Sequence, residues 1–148
     1  MKIMNKILTV LTSVLLVSSF SVHASPEAIS GTISLSPKLA NKVAPTDVVY
    51  ILARATQGPR MPIAVFRKQV KDLPYKFVLD DSMAMRPQVK ISDFDQVKVA
   101  ARVSKSGGAI SRPGDFEGVS TAIKPGTSGV DIVIDTQVVS GSKTSLSL

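Results

Sequence analysis

An alternation of apolar and polar residues with a period of two most narrows what this chain can fold into. Val97, Val99, Ala101 and Val103 alternate with Lys98, Ala100, Arg102 and Ser104. Val130, Ile132 and Ile134 alternate with Asp131, Val133 and Asp135. Successive side chains of a strand point to opposite faces, so each run puts one row into a core and leaves the other outside. Ile29, Gly31, Ile33 and Leu35 repeat the pattern against Ser30, Thr32 and Ser34, as do Tyr75, Phe77 and Leu79 against Lys76, Val78 and Asp80. Asp47 to Ala55 is different: almost continuously apolar and β-branched, it reads as a strand covered on both faces. Ile63 to Val70 and Gly118 to Ile123 complete a set of seven short strands.

Turn chemistry separates them. Ser36-Pro37 reads as an N-cap followed by proline at the first helical position, opening a single turn through Lys42. Thr56 to Pro62, Asp72-Leu73-Pro74, Asp81 to Pro87, Ser106-Gly107-Gly108, Arg112 to Asp115 and Lys124-Pro125-Gly126 read as turns or loops. Ser106 to Gly108 and Arg112 to Asp115 bracket a connection expected to be flexible. Almost no segment has helical periodicity. The fold class expected is therefore all-β, an immunoglobulin-like antiparallel β-sandwich of about seven strands. Lys98 and Arg102 on one strand would pair with Asp131 and Asp135 on another if those strands are neighbours.

Residues 1–24 read as an address rather than structure. Lys2 and Lys6 precede an apolar stretch from Ile7 to Phe20, and Val22-His23-Ala24 has the small-x-small form that signal peptidase cleaves. The stretch is short for a spanning helix, so no stable membrane anchor is expected. The organisation expected is a signal peptide over 1–24, a sandwich domain over 25–139 and a Ser-rich tail over 140–148. Such a chain is exported, and the location expected is the periplasm.

Composition then removes most chemistry. There is no cysteine, and the only histidine, His23, lies in the leader. Without imidazole or thiol no Ser-His-Asp or Cys-His constellation can be assembled, nor a zinc site of the usual donors, nor haem ligation by His or Cys. Asp80-Asp81 are sequence neighbours at a strand end, which suits a cap better than a catalytic pair across a cleft. The chain is expected not to be an enzyme and to need no cofactor. It carries 18 basic residues, two of them in the leader, against 11 acidic ones. The charges are dispersed and aromatics are few, which speaks against nucleic acid as a partner.

Several segments are more specific than a sandwich requires. Gly31 to Pro37 opens with a Gly-x-Ile-x-Leu strand and Ser-Pro. Gly58-Pro59-Arg60-Met61-Pro62-Ile63-Ala64-Val65 and Leu79-Asp80-Asp81-Ser82-Met83-Ala84-Met85 follow. Ala101 to Gly107, Pro113 to Gly118 and Lys124 to Val130 come after them in order. In these runs the stretch from Gly31 to Asp135 resembles the C-terminal periplasmic domain of the cytochrome c biogenesis protein CcmI, also called CycH. The resemblance implies a periplasmic β-sandwich connected with delivering apocytochrome c to haem ligation. Full family proteins carry membrane-spanning helices and tetratricopeptide repeats ahead of this domain, so the domain is expected to be free-standing here.

The candidate site follows from the same motifs. Met61, Met83 and Met85 sit in or beside loops, rimmed by Arg60, Arg86 and Lys105, with Pro62 and Asp81 beside them. Methionine commonly fills gaps in a core, and that is one reading of the three. As an adaptable surface they would contact a protein or peptide, either apocytochrome c or components of its maturation. An alternative from another class is Cu(I) handling by the three thioethers, since soft sulfur ligands favour that ion.

Overall fold

The computed structural model describes residues 25–58 and 60–139. The expected leader and the tail from Ser140 onward lie outside the described residues. Eight strands form: β1 (Ile29–Leu35), β2 (Val48–Ala55), β3 (Ala64–Gln69), β4 (Tyr75–Leu79), β5 (Val97–Ser104), β6 (Phe116–Val119), β7 (Val130–Ile134) and β8 (Thr136–Gln137). They make an immunoglobulin-like all-β sandwich of a three-stranded sheet, β4-β1-β7, and a five-stranded sheet, β3-β2-β5-β6-β8.

The alternation in the sequence is what closes the core. Ile29 and Ile33 of β1, Phe77 and Leu79 of β4, and Ile132 and Ile134 of β7 face Val49, Ile51 and Ala53 of β2 and Val97, Val99, Ala101 and Val103 of β5. Each large apolar side chain of this set contributes about 1.5–3 kcal/mol by leaving water. Ile91, in a short 3-10 turn over Ile91–Asp93, is fully buried and plugs one end. Along one side of the sandwich Phe66 of β3 lies 6.0 Å from the Tyr75 ring of β4, and Lys68 stacks 4.6 Å above Tyr75.

Four local expectations are corrected. One ladder is parallel: β1 runs antiparallel to β4 but parallel to β7, with Gly31 opposite Val130 and Leu35 opposite Ile134. The β6 strand spans Phe116–Val119 rather than Gly118 to Ile123. Phe116, opposite Val103, is buried and fixes the register, while Ile123 makes only an isolated bridge to Val97. Proline does open a 3-10 turn at Pro37–Leu39, but the Ser36 side chain does not cap it. Its backbone N–H instead donates to the Ile134 carbonyl, 2.9 Å away, and ties the turn to β7. Finally, β5 and β7 belong to opposite sheets, so Lys98 and Arg102 do not pair with Asp131 and Asp135. Arg102 is buried and pairs elsewhere.

The expectation for β2 holds. Tyr50 and Leu52, which face away from the core, are buried as well. The cover over Tyr50 is the connection between β5 and β6, residues 105–115. The Tyr50 hydroxyl donates to the Gly107 carbonyl at 2.8 Å, and Ser104 Oγ donates to Gly108 O at 2.9 Å. Arg102 donates to the carbonyls of Ala109 and Ile110 and to Asp115. The connection expected to be flexible is instead pinned to the sheet by side chains at both ends.

Candidate functional site

The site is built where β3 begins. Ala64 bridges Ala84, and the Met85 N–H donates to the Ile63 carbonyl at 2.8 Å. These backbone bonds bring the Met61 loop and the Met83–Arg86 segment side by side. Asp80 starts the second segment as a cap. Its carboxylate accepts from the Ser82 N–H at 2.9 Å and from the Ser82 hydroxyl, and a 3-10 turn follows over Asp81–Met83. Asp81 reaches the other way, accepting from Ser92 N–H at 3.0 Å and Ser92 Oγ at 2.6 Å. Ser92 belongs to the turn plugged into the core by Ile91, so both ends of the segment are held to fixed structure.

On this frame the thioethers face outward. Met61 is 51 % exposed, Met83 36 % and Met85 50 %. None of the three belongs to the buried core. Arg86 Nη2 donates to Met61 Sδ at 3.0 Å, a guanidinium set directly on the sulfur. Arg60 is exposed in the same loop, and Pro62 is half-buried beside it. Met61, Pro62, Ile63, Arg86 and Val89 line a depression of only about 20 Å³, room for a water at most. The depression is too small to hold a small molecule.

Not every candidate residue joins it. Arg60, Met61, Pro62, Met83, Met85 and Arg86 come together, and Asp81 stands behind them as a positioning group. Lys105 does not join. It follows β5 at the end where Ser104 pairs with Val48, whereas Met61 lies at the Ala53 end of β2, about 17 Å along the strand. Its ammonium pairs with Asp47 at 2.6 Å. Burial raises the Asp47 carboxyl pKa, but the Lys105 ammonium and the Ala44 N–H at 2.8 Å outweigh it and hold the group below its ordinary value. Beside this pair lies the larger hollow, ≈ 380 Å³ and wide open, lined by Val48, Arg67, Lys68, Gln69 and Asp72.

Sequence reasoning missed the most heavily engaged charges. Arg102 and Asp115 form a buried ion pair at 2.6 Å, and the Arg102 guanidinium lies 5.3 Å from the Tyr50 ring centroid. Asp115 also accepts from the N–H groups of Lys105 at 2.9 Å and Arg112 at 3.0 Å. The two motifs at Ala101 to Gly107 and Pro113 to Gly118 thus meet in one structural knot. A signal was present: Arg102 is the only long charged residue in the run Val99 to Val103.

Residues 29–135, from the start of β1 to the residue after β7, match the family described as the cytochrome c-type biogenesis protein H Ig-like domain. The chain belongs to this family. Its relatives include the cytochrome c-type biogenesis protein CycH of Pseudomonas aeruginosa, 47 % identical over 79 residues, which cover 53 % of this chain and 19 % of that protein. An uncharacterized protein of Aquifex aeolicus is 30 % identical over 109 residues, covering 72 % of this chain and 69 % of that protein. The chain therefore spans about a fifth of the length of CycH. No solved structure matches. Every strand of the sandwich except the two-residue β8 lies within the family match, and the methionine segments fall inside it. Among the described residues no helix is long and apolar enough to cross a membrane.

Proposed function

We propose that this Ig-like domain is a periplasmic, non-catalytic module of c-type cytochrome biogenesis. It acts by protein contact, on apocytochrome c or on the machinery that ligates haem to it. The observation that carries the reading is the outward display of Met61, Met83 and Met85 beside Arg60 and Arg86 on two loops locked together by backbone hydrogen bonds. Unbranched, polarizable methionines adapt to varied partner surfaces, and the arginines add donors at the rim. The family supports the process, and a mature chain without His or Cys supports contact over catalysis.

The geometry favours contact over copper as well. A guanidinium donating to the Met61 sulfur places positive charge where Cu(I) would have to approach. The test is capture of a purified apocytochrome c by crosslinking. Replacing Met61, Met83 and Met85 together by Ala is expected to weaken capture about tenfold while the melting temperature holds. Unchanged capture rejects the surface, and micromolar Cu(I) binding that Met→Leu changes abolish would replace the reading with metal handling.

A further inference from the structure

The two loops present three thioethers to solvent, and their sulfurs are not equivalent. Met61 and Met85 are almost equally exposed, at 51 % and 50 %, and Met83 follows at 36 %. Exposure alone would make Met61 and Met85 react alike. Among the described residues, however, only the Met61 sulfur carries a hydrogen-bond donor, Arg86 Nη2 at 3.0 Å from Sδ.

That contact bears on the one reaction an exposed thioether readily undergoes, oxidation to the sulfoxide. A sulfur lone pair attacks one oxygen of hydrogen peroxide, the O–O bond breaks and an S–O bond forms. The departing hydroxide recovers the proton of the transferred oxygen and leaves as water. Sulfur gives up two electrons, and the peroxide is reduced by the same two. At Met61 the guanidinium opposes this twice. Its N–H engages electron density that the attack needs, and its positive charge stands beside a sulfur that grows more positive as the new bond forms. Met83 and Met85 have no such guard. Their loop is held by backbone, through the Met85 N–H on the Ile63 carbonyl and the bridge of Ala84 to Ala64, so an oxygen added to a side-chain tip leaves the frame standing.

We propose that Met85, with Met83 after it, is a modification site for peroxide-class oxidants, and that Arg86 keeps Met61 reduced. Sulfoxide formation exchanges a flexible apolar tip for a polar one. On the reading of this surface as a protein-contact site, on which this consequence rests, the oxidised form holds its partner more weakly. Methionine sulfoxide reductases reverse the change, so the surface carries a reversible redox switch.

The test exposes the full 148-residue chain to excess hydrogen peroxide and follows oxygen gained at each methionine by peptide mass spectrometry. Met85 is expected to oxidise about fivefold faster than Met61, the factor that a net hydrogen bond of ordinary strength supplies. Arg86→Ala should raise the Met61 rate to that of Met85 and leave the Met85 rate where it was. The urea-unfolded chain should oxidise all three at one rate. Equal rates for Met61 and Met85 in the folded parent overturn the proposal, as does a Met61 rate that Arg86→Ala does not change. A melting temperature lowered by oxidation at Met85 overturns it as well, since that sulfur would then belong to the packing. Capture of apocytochrome c by the Met85-oxidised chain should weaken about tenfold. Ordered oxidation with unchanged capture supports the modification site and overturns the contact reading alone.

Discussion

Asp115 holds both ends of one connection with a single carboxylate: it pairs with Arg102 at 2.6 Å while accepting the backbone N–H groups of Lys105 and Arg112. The two side chains are 4 % and 1 % exposed. A buried charge pair gains little over an apolar pair of the same shape, but losing one partner leaves the other charge stranded. Asp115→Ala is therefore expected to cost about 3–5 kcal/mol in urea denaturation. The amides of residues 105–112 should also exchange with solvent faster than those of β1. Loss of under about 1 kcal/mol would show that the pair is not what pins the connection.

Gly31 and Gly118 sit where strands approach too closely for a side chain. A Cβ at Gly31 would stand 1.9 Å from the Val130 carbonyl oxygen, and one at Gly118 would stand 2.1 Å from that of Val133. In both cases the obstacle is backbone of β7, which cannot swing aside. Gly31→Ala and Gly118→Ala should each destabilise the fold by more than about 2 kcal/mol. Thermal melting that matches the parent would contradict these close approaches.

The methionines and the core isoleucines should respond in opposite ways. Met61→Leu, Met83→Leu and Met85→Leu change exposed positions and are expected to stay within about 0.5 kcal/mol of the parent. Ile33→Ala and Ile51→Ala remove fully buried side chains and should each cost about 2–5 kcal/mol. Urea midpoints of the five variants decide it.

Asp47 gives the chain a pH-dependent contribution. Its carboxyl is held below its ordinary value in the fold, because Lys105 and Ala44 together outweigh burial. The unfolded chain then binds this proton more readily, so the stabilisation is complete above the unfolded pKa near 4 and is lost as pH falls through the folded value. Lys105 is 39 % exposed, so the pair is screened and worth at most about 1 kcal/mol. Asp47→Asn should lower stability at pH 7 by that much, and the gap to the parent should close as pH drops toward 2. A gap that widens in acid would reverse the assignment.

The methionine surface was legible because its residues are local to two motifs, Arg60-Met61-Pro62 and Met83 to Arg86, and loops keep neighbours together. Lys105 misled for the opposite reason. Nothing in a linear motif says at which end of β2 its residue will emerge. Arg102 was misread as solvent-facing because period two assigns it to the outer face, and the outer face was taken to be wet. The folded-back connection made it dry.

Period-two patterning by itself determined that this chain would make strands, which side chains would enter the core, and that an Ig-like sandwich would result, because alternate burial is a property of each strand alone. Which strands became neighbours was decided only by the packed sheets: β1 beside β7 in parallel, β5 apart from β7, and the methionine loops joined while Lys105 lay about 17 Å away. Pairing depends on contacts between residues far apart in the chain, and those contacts exist only once the core has closed.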